Sequence, residues 1–143
     1  MSFFIANKPN GKDSYYIQFK EYLGGYGYYE SIEFEVDFIK QLPGEKAEEI
    51  IQHLLGLACI TQNISNINIG RYFLQQLKSE WLLSRIFRLS KSLLDSNNYW
   101  EYNRLMELFL SLDSNLAEKL AELSLKNNNP EIVEIGKEFF NDL

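Results

Sequence analysis

The chain is short of the residues that build covalent and metal chemistry. It has one cysteine, Cys59, and one histidine, His53. One cysteine excludes a disulfide framework within the chain. One residue of each kind cannot furnish a zinc site of Cys and His ligands. Cations are scarce as well: 14 Lys+Arg stand against 20 Asp+Glu, a formal charge of −6. Nucleic acid presents phosphates that demand Lys and Arg, so direct nucleic-acid binding is not expected. No apolar run approaches the roughly 18 residues of a membrane span. The opening MSFFIANKPNG lacks the basic n-region and long apolar core of a signal peptide. The expectation is a cytoplasmic protein with no membrane partner, in which a lone thiol stays reduced.

What is present suits a folded domain. With 45% hydrophobic and 15% aromatic residues over 143 positions, there is enough apolar surface for a core; disordered chains are poor in aromatics. The length fits one domain, 1–143.

The first third differs from the rest. Residues 1–38 hold six of the nine tyrosines and four of the eight glycines. Tyr15, Ile17 and Phe19 alternate with Tyr16, Gln18 and Lys20, and Ile32, Phe34 and Val36 alternate with Glu33, Glu35 and Asp37. Period-2 alternation predicts half-buried strands. With the glycine-rich 23–29 between them, the two read as a β-hairpin segment, 1–42. A rival reading for the first strand is a short helix capped by Asp13 or Ser14 and stopped at Gly24.

From Pro43 the period changes to 3.6, giving a helical part over 43–143. Ala47, Ile50, Ile51, Leu54, Leu55 and Ala58 form one stripe. Thr61–Asn68 reads as a polar linker before a helix at about 69–77. Ser79 caps a helix running to about Leu94. Asn98 and Glu101 resemble a capping box opening the next. Asp113 or Ser114 caps another, and Pro130 sits at the first position of the last. The spacing Leu82, Ile86, Leu89 recurs as Leu116, Leu120, Leu123, which suggests two stacked helical hairpins. The expected fold is mainly α with an α+β character: a short N-terminal hairpin on a bundle or short HEAT-like stack of about five helices.

Catalytic signals are weak. A catalytic histidine needs a nucleophile and an orienting group placed around it, and His53 lies off the apolar stripe, on the polar face or pointing at a neighbouring element. Cys59 reads as a small buried hydrophobe. Gly24-Gly25-Tyr26-Gly27 lacks the GK[ST] ending of a phosphate loop. Glu33, Glu35 and Asp37 on one strand face have no environment that separates their pKa values. The chain is therefore expected not to be an enzyme and to need no metal or cofactor.

Charge is unevenly spread. Residues 21–49 hold eight acids against two bases, 71–91 five bases against one acid, and 101–142 nine acids against four bases. Such asymmetry steers association with an oppositely charged partner.

Gly70-Arg71, Glu80-Trp81-Leu82, the run from Tyr99 to Leu108 and Asn129-Pro130 through Gly136 together carry a resemblance. Over roughly 43–143 the chain resembles the small acidic helical immunity proteins encoded beside bacterial polymorphic or contact-dependent toxins. The resemblance implies a cytoplasmic inhibitor that binds one cognate toxin and covers its active site. The partner it implies is often basic, a nuclease domain for example. It transfers no binding residues. The expected partner surface comes from composition instead: Tyr26, Tyr28, Tyr29, Glu33, Glu35 and Asp37. The alternative is a non-catalytic helical-repeat adaptor that holds an acidic peptide near Trp81, Arg85 and Arg88.

Overall fold

A computed structural model describes residues 6–29 and 35–142. Regular structure among them is all helix, with no strand. They form two compact units, Ala6–Leu77 and a second beginning at Lys78.

The first unit contains α1 (Ser14–Gly24), α2 (Glu35–Gln41), α3 (Gly44–Cys59) and α4 (Ile64–Gln76). The expected N-terminal β-hairpin is not there. Residues 15–19 lie in α1, and Glu35–Gln41 is α2; of the expected second strand, residues 32–34 lie outside the described residues. Local chemistry explains α1. The Asp13 carboxylate accepts from the backbone N–H of Tyr15 at 2.8 Å and of Tyr16 at 3.4 Å, satisfying donors that a helix start leaves open. Its other oxygen accepts from the Ser65 hydroxyl at 2.9 Å, fastening α1 to α4. Tyr16, Phe19 and Leu23 then face inward at helical spacing, while Tyr15 and Ile17 stay exposed. Gly24 and Gly25 stop the helix, and Gly27 takes the left-handed φ of 91° that the turn requires.

The stripe expected in α3 is buried throughout, and Cys59 is buried at its end. α4 starts five residues earlier than the spacing predicts, at Ile64. Asn63 is its cap, accepting from Asn66 N–H at 3.0 Å. The polar run continues as one face of the helix. Asn68 uses that face to clamp the Asn7 backbone, accepting from its N–H and donating to its carbonyl, both at 2.8 Å.

The α3–α4 pair crosses at Gly70. A Cβ there would stand 2.5 Å from the Leu54 carbonyl oxygen and 2.6 Å from the Ala58 backbone nitrogen. Only hydrogen fits.

The second unit contains α5 (Glu80–Leu89), α6 (Lys91–Asp95), α7 (Tyr99–Leu112), α8 (Ser114–Leu125) and α9 (Pro130–Asn141). The single helix expected from Ser79 to Leu94 is broken at Ser90, whose buried hydroxyl donates to the Ile86 carbonyl at 2.7 Å; such back-bonding bends helices. Asn98, Asp113 and Asn129 cap α7, α8 and α9 through their side chains. The expected box at Asn98 is half made: Asn98 accepts from Glu101 N–H, but the Glu101 carboxylate accepts from Ser96 instead. In the expected repeat, Leu82, Ile86 and Leu89 are buried, as are Leu116 and Leu120, whereas Leu123 is exposed. Asn97 adopts φ 55° and receives the Asn127 amide at 2.7 Å, tying two loops together.

A closer repeat is visible in the hairpins. Leu54, Ala58, Asn63, Ile69, Gly70 and Phe73 of α3–α4 recur at constant offset as Leu120, Ser124, Asn129, Ile135, Gly136 and Phe139 of α8–α9. In both, an asparagine caps the second helix, and glycine touches the first. A Cβ at Gly136 would strike the Ser124 hydroxyl and lie 2.6 Å from the Ala121 carbonyl oxygen.

Gly70→Ala and Gly136→Ala are each expected to cost about 1–3 kcal/mol through overpacking against backbone. Gly56→Ala is the control. It sits inside α3, where a Cβ meets nothing nearer than Ile60 Cδ1 at 3.9 Å, so helix propensity should stabilise by about 0.5–1 kcal/mol. Chemical denaturation measures all three, and equal signs would refute the crossing assignment.

Candidate functional site

The aromatic residues of α1 and the turn after it gather on α3. The Tyr22 ring lies on the His53 imidazole with centroids 3.8 Å apart and planes 15° from parallel. Phe19 stacks beside it, 6.1 Å from His53 and 5.3 Å from Phe73 of α4. His53 thus points at a neighbouring element. Its partners were not legible in the sequence, because the contact joins α1 to α3. The only signal was a histidine off the apolar stripe and a Phe–Tyr pair three residues apart.

Tyr26 continues the cluster. Its hydroxyl donates to Glu49 Oε2 at 2.8 Å. That uses its one proton, so in the 3.2 Å contact with Tyr22 it is Tyr22 that donates. Burial, and then the bond to Tyr26, push the Tyr22 phenol above its ordinary range. Burial pushes the His53 imidazole down. At neutral pH the stack is a protonated phenol on a neutral imidazole.

The other residues expected at a partner surface fall as follows. Tyr28 meets Phe38 of α2 edge-on, centroids 5.4 Å apart, and lines an open depression of about 350 Å³ with Gly11, Ile17, Lys20 and Glu21. Tyr29 is 89% exposed. Asp37 is exposed in α2, and Glu35 is the first residue of that helix. Glu33 lies outside the described residues. The Tyr28–Phe38 contact therefore brings the tyrosine turn to the helix carrying Glu35 and Asp37. The shared acidic strand face expected of them is gone with the strand, since alternate residues lie on one side only in extended chain.

Trp81, Arg85 and Arg88 lie on α5, in the other unit. The Arg85 guanidinium covers the Trp81 ring at 4.9 Å and donates to the Trp81 carbonyl at 2.7 Å. Arg88 is exposed. Trp100 of α7 is 66% exposed.

Beside the Tyr22–His53 stack is a half-open cavity of about 230 Å³ lined by Tyr15, Gln18, Phe19, Tyr22, His53, Leu57 and Asn66. Of its lining residues, His53 is the one that the sequence singles out, by its place off the apolar stripe of α3. No helix among the described residues is long and apolar enough to cross a membrane. Comparisons with protein-family models, with curated proteins and with solved structures gave no match.

The stack makes stability depend on pH with a definite sign. Unfolded, His53 takes its proton near 6.5; folded, it does so at lower pH. The unfolded state holds more protons in between, so stability falls as pH drops from 7 through this window. Asp13 acts lower. The Ser65 hydroxyl foremost holds its carboxyl below the usual value, against burial and with help from two backbone N–H groups, so its contribution fades only below about pH 4. His53→Gln should flatten the dependence between pH 7 and 5 in urea denaturation and leave the acid limb in place. Parallel curves for the two proteins would refute the assignment.

Proposed function

We propose that this chain is a non-catalytic binding protein of the immunity type, which neutralises a cognate protein toxin by covering its active site. The observation that carries the reading is Tyr29, 89% exposed just after a turn whose other two tyrosines are held in place. Tyr26 is fixed by Glu49 and Tyr22, and Tyr28 by Phe38. An exposed tyrosine offers a large contact area at the cost of only two side-chain torsions, and tyrosine is among the residues that dominate interface energies. Residues 21–49 around it carry eight acids against two bases. Acidic surroundings steer a basic partner and favour it over an acidic one, which suits a nuclease domain whose own substrate is polyanionic. The resemblance to immunity proteins supplies the toxin.

The experiment is co-purification with the product of the adjacent toxin gene, followed by titration. Tyr29→Ala is expected to weaken the complex by about 30-fold or more, the loss of one interface anchor. Glu35→Lys with Asp37→Lys should slow association and blunt its salt dependence. Unchanged affinity in both variants would remove this face from the interface. Failure of any neighbour-encoded protein to co-purify would sink the immunity reading itself.

A further inference from the structure

The cavity between α1, α3 and α4 differs from the rest of the aromatic cluster in one respect. The hydroxyls of Tyr22 and Tyr26 and the Glu49 carboxylate satisfy one another. The polar groups on the cavity wall do not. The side chains of Tyr15, Gln18, His53 and Asn66 make no hydrogen bond to any described residue. Two amides, a phenol and an imidazole thus offer donors and acceptors around a wall of aromatic carbon from Phe19 and Tyr22.

We propose that this cavity is a binding site for an uncharged, planar heteroaromatic ring of nucleobase size, set against the Tyr22–His53 stack with its polar edge on Gln18 and Asn66. Size sets the scale. A volume of 230 Å³ equals roughly eight waters of liquid and lies below the ~300 Å³ at which drug-sized pockets begin. That admits a ring or a fused pair of rings, not a whole nucleotide. Charge sets the class. No Lys, Arg, Asp or Glu is among the described lining residues, and burial keeps His53 neutral. A phosphate or an ammonium group would find no counter-ion there. Stacking is the attractive term: base–aromatic contacts are sequence-tolerant because every base has a π-face. The amides add edge recognition that a simple hydrocarbon cannot use.

The single histidine makes the test direct, because its ring carbons give one unambiguous set of signals in a carbon-edited NMR spectrum. The full chain at pH 7.5 is titrated with adenine, with cytosine, and with benzene as a ring lacking a polar edge. The proposal expects a saturable shift of the His53 signals with at least one base. It also expects weaker binding of benzene, and of the adenosine monophosphate whose phosphate has no partner. Gln18→Ala with Asn66→Ala should weaken the base about tenfold, the loss of one or two neutral hydrogen bonds. Neither side chain is hydrogen-bonded to another described residue, so the fold is expected to survive; Gln18→Ala alone, at an exposed position, serves as the second variant. Absence of a saturable shift up to the solubility of both bases overturns the proposal. So does benzene binding as tightly as the bases, or variants that bind them unchanged, since either describes a greasy hollow without polar readout.

Discussion

Everything in the Ala6–Leu77 unit depends on how closely α4 can approach α3. At Gly70 the helices meet backbone to backbone, with no room for a methyl group beside Leu54 and Ala58. That approach sets the depth of Phe73. Phe73 then receives Phe19 at 5.3 Å and Tyr16 at 6.0 Å, aromatic pairs worth about 0.5–1.5 kcal/mol each beyond their area. Those contacts, with the Asp13–Ser65 bond, dock α1. Docked α1 lays Tyr22 on His53, and the wall of the cavity follows. One glycine thus determines where a histidine eleven positions past Leu42 finds its partners.

The same device closes α8 on α9. Asparagine at the cap fixes where the second helix begins; two turns on, glycine meets the first helix; one turn further, phenylalanine covers the crossing. The order follows from helical geometry. Residues seven apart lie on one side of a helix, so a cap and a contact glycine at that spacing share a face with the phenylalanine. The small residue opposite differs between hairpins, Ala58 in one and Ser124 in the other. Serine brings a hydroxyl into an apolar contact. It is tolerated because it donates to the Ala121 carbonyl at 2.7 Å, within its own helix, which meets the cost of burying it.

The helical part was legible where hydrophobic period and caps agreed. The stripe from Ala47 to Ala58 is the buried face of α3, and the start signals at Asn98, Asp113 and Pro130 stand where α7, α8 and α9 begin. The errors fall where two signals compete. Tyr15, Ile17 and Phe19 satisfy a strand period, while Tyr16, Phe19 and Leu23 satisfy a helical one. The Asp13 cap and the Gly24–Gly25 stop decide for helix, and they outweigh the β propensity of aromatics because such propensity is mostly a matter of packing surroundings. At 61–68 the asparagines suggest loop chemistry, but the same side chain that favours turns is the one that caps helices. The break at Ser90 is invisible in the sequence because back-bonding to a carbonyl leaves no mark on periodicity. The candidate site was legible in part. The tyrosine turn shows in composition; the tie of Tyr26 to Glu49 and the stack on His53 join distant positions, and one sequence carries no trace of that pairing.

The geometry of the stack also bears on what the cluster can do. Proton transfer needs a hydroxyl within hydrogen-bond reach of a ring nitrogen. Tyr22 and His53 meet face to face at 3.8 Å, which presents carbon to carbon, and the phenol proton is directed to Tyr26 instead. Burial drives the two groups apart in pKa, the phenol upward and the imidazole downward. Each is held in its uncharged form, so the wall they make is neutral. Tyr29 and Asp37 are exposed by contrast, in a stretch of sequence, 21–49, that holds eight acids against two bases. One unit therefore carries an uncharged cavity and an acid-rich stretch of chain, and Tyr22 joins them: its ring walls the cavity while its hydroxyl bonds Tyr26 in the turn that precedes Tyr29.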